Sequence, residues 1–193
     1  VGIMKLQEMK KLKLNEKVFG KKGILRDTVY NNSIKDQRYY DITVEQLLRH
    51  QAGFNNYAGD PVSSTRYIMM QNHLKTPPDH PTLLKILLKR HLGYTPGKGK
   101  CYSNLGYMIL SMIIEKKSGM KYENFMQKYV LHPAGCYDMH IAGTYLKDRR
   151  PNETKYYMHQ GSIPVYEYNN SGRLVEKCYG DSDLPRLSGA GAW

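Results

Sequence analysis

The chain has 193 residues, 40% of them hydrophobic, and 29 Lys and Arg against 17 Asp and Glu give it a net charge of +12. Measured against the roughly 150 residues of a typical domain, that length fits one domain with a real core, or a large piece of one. The composition excludes wholesale disorder, collagen and a coiled coil. The longest apolar stretches, such as those at 107–110 and 67–70, fall far short of the roughly 20 residues of a membrane-spanning helix.

The first residues, Val-Gly-Ile-Met-Lys-Leu-Gln-Glu-Met-Lys-Lys, read as an amphipathic helix over 2–13, with no apolar leader and cleavage site. Opening on Val1 rather than Met, the chain is expected to have lost its native N-terminus. Residues 1–26 carry eight Lys and Arg against Glu8 and Glu16; beside Leu6, Met9, Leu12 and Leu14 they read as a solvated face, and no nucleic-acid partner is expected. Thr43-Val-Glu-Gln46 has the capping-box form, with Leu47 and Leu48 as the buried face and Gly53 as the stop. Residues 55–64 read as loop, and 82–92, opened by Pro81 and closed by Gly93, as helix.

The strongest helical signal covers 104–117, where Leu105, Met108, Ile109, Met112 and Ile113 recur at helical spacing before Ser118-Gly119. A further helix is expected over 122–131, stopping before Pro133. At 165–168 and 173–178, two strand-like runs flank Asn169-Asn-Ser-Gly172, the pattern of a β-hairpin.

Little nucleophilic or metal chemistry can be read directly. Seven histidines and three widely spaced cysteines, Cys101, Cys136 and Cys178, form no zinc spacing and no disulfide framework, so no metal or other cofactor is expected. Gly97-Lys-Gly99-Lys100 is read as a turn rather than a phosphate loop, and Gly-x-Ser-x-Gly does not occur. Serine hydrolases with a lysine base place Ser-x-x-Lys on one helix, so that the amine can take the hydroxyl proton. The literal match Ser118-Gly-Met-Lys121 fails, because Gly119 should break the helix between the two side chains. In Tyr-x-Asn, a phenol can relay a proton while the amide holds substrate. With 17 Tyr and 11 Asn, chance gives about one such pair; the chain has four, at Tyr30/Asn32, Tyr102/Asn104, Tyr122/Asn124 and Tyr168/Asn170.

Context selects Tyr102. Tyr94-Thr-Pro-Gly97, then Cys101-Tyr-Ser-Asn-Leu-Gly-Tyr107 and a long apolar helix, resembles the second signature of the serine β-lactamase-like family: class C β-lactamases, D-alanyl-D-alanine carboxypeptidases and related esterases and aminopeptidases. In order along the chain, Ile42-Thr-Val-Glu-Gln-Leu-Leu-Arg-His-Gln-Ala-Gly-Phe54 resembles the family's ITVRHLLTHTSGL stretch, and Tyr122-Glu-Asn-Phe125 through Leu131-His-Pro-Ala-Gly-Cys136 its Y-x-x-F to P-L-G-M stretch. Leu187-Ser-Gly-Ala-Gly-Ala-Trp193 resembles its GAGG segment.

The resemblance implies an α+β β-lactamase/transpeptidase-like fold and acyl-enzyme hydrolysis of a β-lactam, a D-amino-acid peptide or an ester. Tyr102 would be the proton relay, Asn104 the substrate contact and Ser103 a spacer; the alternative is that Asn104 or Ser103 merely caps the helix. In the family Ser-x-x-Lys lies just ahead of the helix that residues 1–12 resemble, and Lys-Thr-Gly or His-x-Gly lies beyond the GAGG segment. The chain is therefore expected to be a single partial domain, inactive alone, with a mainly helical region at 1–144, a hairpin-containing segment at 145–193 and most of the central antiparallel sheet missing. Apolar surface left uncovered would favour self-association. The alternative is a noncatalytic module binding cell-envelope polymers. The family's cell-wall substrates imply the periplasm or cell envelope.

Overall fold

The computed structural model describes residues 1–57 and 59–193. Among the described residues seven α-helices follow in chain order: α1 Gly2–Glu8, α2 Thr28–Asn31, α3 Val44–Leu48, α4 Thr65–Gln71, α5 His80–Leu87, α6 Asn104–Ser118 and α7 Tyr122–Met126. Strands β1 (Val165–Tyr166) and β2 (Leu174–Val175) pair antiparallel, with Val165 opposite Val175 and Tyr166 opposite Leu174. They form the only sheet among the described residues, so the chain is mainly helical. Among the described residues, no helix is long and apolar enough to cross a membrane.

Helix α6 is the axis of the core. Leu105, Met108, Ile109, Leu110, Met112, Ile113 and Ile114 are all buried, so it is enclosed around most of its circumference, and α1, α3, α5 and α7 pack on it. Its ends are set locally. The Ser103 hydroxyl accepts the Gly106 N–H at 3.3 Å as N-cap, and Gly119 closes the other end at φ 71°. That left-handed residue separates Ser118 from Lys121, the residue preceding α7, as expected for the rejected Ser-x-x-Lys match.

Two helices end earlier than their apolar spacing suggests, for one physical reason. After α1, Lys10 turns left-handed at φ 57°, with Lys10 N–H on the Gln7 carbonyl and Lys11 N–H on that of Leu6. This Schellman turn swings Leu12 back into the core without a third helical turn. After α3, His50 takes the same role at φ 58°, bonding Leu47 while Gln51 bonds Gln46. His50, not Gly53, is therefore the stop. The capping box is present: the Thr43 hydroxyl accepts Gln46 N–H at 3.3 Å and the Gln46 side chain accepts Thr43 N–H at 2.9 Å.

Helix α5 starts earlier than expected, at His80, because the Asp79 carboxylate caps Thr82 N–H at 2.9 Å. It ends at Leu87 because tertiary partners take the next turn: Lys35 N–H bonds the Leu88 carbonyl and the Asp36 carboxylate accepts Leu92 N–H. Pro133 does not end the run after α7, which continues through a π-helical turn, Gln127–Leu131, into a 3₁₀ turn, His132–Ala134. Pro133 opens that last turn, where its missing N–H is not needed, and Gly135 closes it. The hairpin strands are two residues each, shorter than the runs at 165–168 and 173–178.

The C-terminal residues return to α6. A Cβ on Gly189 would run into the Tyr107 carbonyl, so only glycine allows this close approach. Trp193 Nε1 donates to the Ser188 carbonyl at 3.0 Å and its ring meets Tyr122 edge-on, which closes the segment against α7.

Candidate active site

Tyr102, Ser103 and Asn104 form the turn into α6. Ser103 is extended and buried, which places the flanking side chains on the outer side, and Tyr102 is 61% exposed. The Tyr102 hydroxyl donates to Asn104 Oδ1 at 2.9 Å. Of the four Tyr-x-Asn pairs, this is the only one among the described residues whose two side chains are hydrogen-bonded. Tyr30 is buried, Tyr122 lies within α7, and Asn170 sits in the hairpin turn at φ 59°. Ser103 is more than a spacer, since it caps α6, and Asn104 supplies the first helical residue.

Three residues from elsewhere hold the turn. The Asp60 carboxylate accepts Asn104 N–H at 2.7 Å, at the positive end of a 15-residue helix. The Asn56 amide donates to the Tyr102 carbonyl at 2.5 Å. The His50 Nδ1 accepts Ser103 N–H at 3.2 Å, and its ring lies 4.7 Å from that of Tyr102 and 5.0 Å from that of Tyr107. Burial, helped by Lys100, pulls the His50 imidazole below the ordinary histidine value. None of these three was singled out from the sequence. For His50 a signal existed, because in the stretch at 42–54 it falls where the family's ITVRHLLTHTSGL has its second histidine.

Behind the turn lies a cavity of about 130 Å³ lined by Phe54, Asn56, Pro61, Arg90, Ser103 and Leu105 among others. A larger one, about 700 Å³, opens at the hairpin between Tyr145, Glu167, Arg173 and Tyr179, and none of residues 102–104 lines it. Its buried Glu167 carboxylate, 2% exposed, accepts the Ser171 hydroxyl; that bond outweighs the cost of burial and holds the carboxyl below its ordinary range.

The Tyr-x-Asn turn thus opens a buried axial helix, and the chain as a whole is similar to known proteins. The profile of the family described as Beta-lactamase matches residues 1–191, and the chain belongs to that family of serine hydrolases. It is 29% identical over 123 residues to "Penicillin-binding protein 4*" of Bacillus subtilis strain 168, covering 61% of this chain and 25% of that protein. To "Serine beta-lactamase-like protein LACTB, mitochondrial" of Homo sapiens it is 30% identical over 109 residues, 55% of this chain and 17% of that one. A solved D-stereospecific amidohydrolase from Streptomyces sp. superposes with a TM-score of 0.60 at 21% identity, covering 98% of this chain and 51% of the other. The chain thus spans a quarter or less of the length of these two sequence relatives and about half of the solved structure. The fold is the expected β-lactamase/transpeptidase-like one, represented by its helical part and one hairpin.

Proposed function

We propose that this chain carries the proton-relay arm of a serine hydrolase that opens an amide, lactam or ester carbonyl through an acyl-enzyme. The observation that carries this reading is the exposed Tyr102 at the head of α6, with its hydroxyl bonded to the Asn104 side chain. In the reaction a serine oxygen adds to the carbonyl carbon as its proton passes to the lysine and phenol side of the site. The leaving nitrogen or oxygen takes that proton from Tyr102 as its bond to carbon breaks, and water then releases the acyl group. Asn104 holds the substrate's amide. The serine and lysine would come from outside residues 1–193, so these residues alone are inactive, and they constitute one partial domain, with a helical region at 1–144 and a hairpin segment at 145–193. Action on envelope peptides would place the protein in the periplasm or cell envelope.

The test is acylation followed by mass, with a chromogenic cephalosporin, a D-Ala-D-Ala peptide and a short-chain p-nitrophenyl ester, on both this chain and the full gene product. Acylation of the full product on a serine outside residues 1–193, with this chain inert, supports the reading. Turnover by residues 1–193 alone overturns it.

The charge of +12 favours a second reading, a noncatalytic module for anionic envelope polymers. Lys10, Lys11, Lys13, Lys17, Lys21, Lys22 and Arg26 are all exposed. Salt-sensitive cosedimentation with such a polymer, with no acylation of the full product, would favour it.

A further inference from the structure

His50 reaches both sides of Tyr102. Its backbone carbonyl accepts Cys101 N–H at 3.0 Å and the Tyr94 hydroxyl at 3.0 Å, while its imidazole Nδ1 accepts Ser103 N–H at 3.2 Å. The amides immediately before and after Tyr102 are thus tied to one residue, and the His50 ring lies against the Tyr102 ring between them. His50 can do this because it sits in the left-handed position that ends α3, an uncommon conformation for a histidine. We propose that His50 is the positioning residue of the Tyr-x-Asn turn, holding Tyr102 in place through a neutral imidazole, and that protonation of this ring releases the turn.

The acceptor role defines the protonation state. Nδ1 can accept Ser103 N–H only while it bears a lone pair, which requires the neutral ring protonated at Nε2. The imidazolium would set an N–H against the Ser103 N–H and lose that bond. The groups facing the ring are Lys100 and the phenols of Tyr102 and Tyr107, while Tyr94 meets the backbone oxygen instead. The phenol faces favour a cation, but burial and Lys100 oppose it more strongly, so the ring stays neutral further into acid than a free histidine. The turn therefore holds above the ordinary histidine value and loosens as pH falls through the lowered one.

The functional weight of this clamp rests on the reading of Tyr102 as the proton relay; the clamp itself is tested without catalysis. In the 193-residue chain, the His50 ring nitrogens, the Ser103 amide and the Tyr102 ring are followed by NMR through acid titration. One shared midpoint is expected, below that of an ordinary histidine. Two substitutions tolerate the left-handed backbone: H50N keeps an acceptor where Nδ1 lies, and H50G removes it. H50N should abolish the titration with Ser103 held at its high-pH shift; H50G should leave Ser103 at its low-pH shift throughout. In the full gene product, H50G should slow acylation at neutral pH by at least about tenfold, and H50N should recover most of that loss and remove the step attributable to His50 from the acid limb. Ser103 and Tyr102 signals that ignore His50 titration, or an H50N variant that behaves like H50G, would overturn the proposal. Y102F separates the two readings: full-rate acylation by Y102F sinks the relay assignment, while loss of the shared midpoint sinks the clamp.

Discussion

The Asp60 carboxylate accepts the backbone N–H of Asn104 at 2.7 Å, so a loop 44 residues upstream holds the first amide of α6. The same carboxylate accepts Val62 N–H at 3.0 Å through its other oxygen, which fixes the loop and the helix start together. Removing it leaves an N-terminal amide without its charged acceptor. D60A should destabilise the chain by about 1.5 to 3 kcal/mol in urea unfolding, and D60N, which keeps an acceptor oxygen, by less than half as much. Equal losses would show that the carboxylate's charge, rather than its acceptor geometry, dominates.

Gly53 predicts a steeper cost. At φ 94° its Cβ would lie 2.6 Å from the Tyr94 carbonyl oxygen, and its own carbonyl accepts Gly93 N–H at 2.8 Å. Neither backbone partner can step aside without moving Tyr94, whose hydroxyl bonds His50. G53A should therefore cost more than the 1 to 2 kcal/mol roughly expected for a left-handed alanine alone, and thermal unfolding is the check.

Where the sequence reading succeeded, the determinants were local. The Thr43–Gln46 box, the Ser103 and Gly119 ends of α6 and the Asn169–Gly172 turn each lie within a few residues of the element they define. It failed where distant contacts override periodicity. Leu12 is buried by a Schellman turn rather than a helix, and α5 loses its last turn to Asp36 and Lys35. Helix α4 was missed because the polar stretch before it masks a short apolar face, Ile68 and Met69. Of the candidate site, context picks out the Tyr102 and Asn104 pair, whose side chains the fold joins by a hydrogen bond. His50, Asn56 and Asp60 join it across 53, 46 and 44 residues, separations that no local pattern encodes.

Acid sensitivity should centre on Asp36. This carboxylate, 7% exposed, accepts Arg38 Nε and a terminal guanidinium nitrogen as well as the backbone N–H groups of Arg38 and Leu92. The guanidinium, chiefly, holds its carboxyl well below the ordinary aspartate value despite burial. A depressed folded-state value means that the stabilisation is complete above the unfolded value of about 3.9 and is lost as pH falls through the folded one. D36N should lower stability at neutral pH by about 2 to 4 kcal/mol and flatten its dependence on pH below about 4. A variant that keeps the wild-type acid slope would place that sensitivity elsewhere.

Tyr102 itself should separate stability from activity. Tyr102 is exposed, and among the described residues its hydroxyl hydrogen-bonds the Asn104 side chain on the same turn. Removing that oxygen leaves no buried group without a partner, so Y102F should change unfolding free energy by no more than about 0.5 kcal/mol. A phenol that relays a proton in acyl transfer is a different matter: in the full gene product, acylation should fall about 10²- to 10⁴-fold, with the effect in the rate constant rather than in substrate affinity. N104A should instead weaken substrate binding along with the rate, because the amide contacts the substrate in both ground and transition states. A Y102F protein that is acylated at the wild-type rate would reduce Tyr102 to a residue of the helix entry, and the hydrolase would have to move its proton by another group.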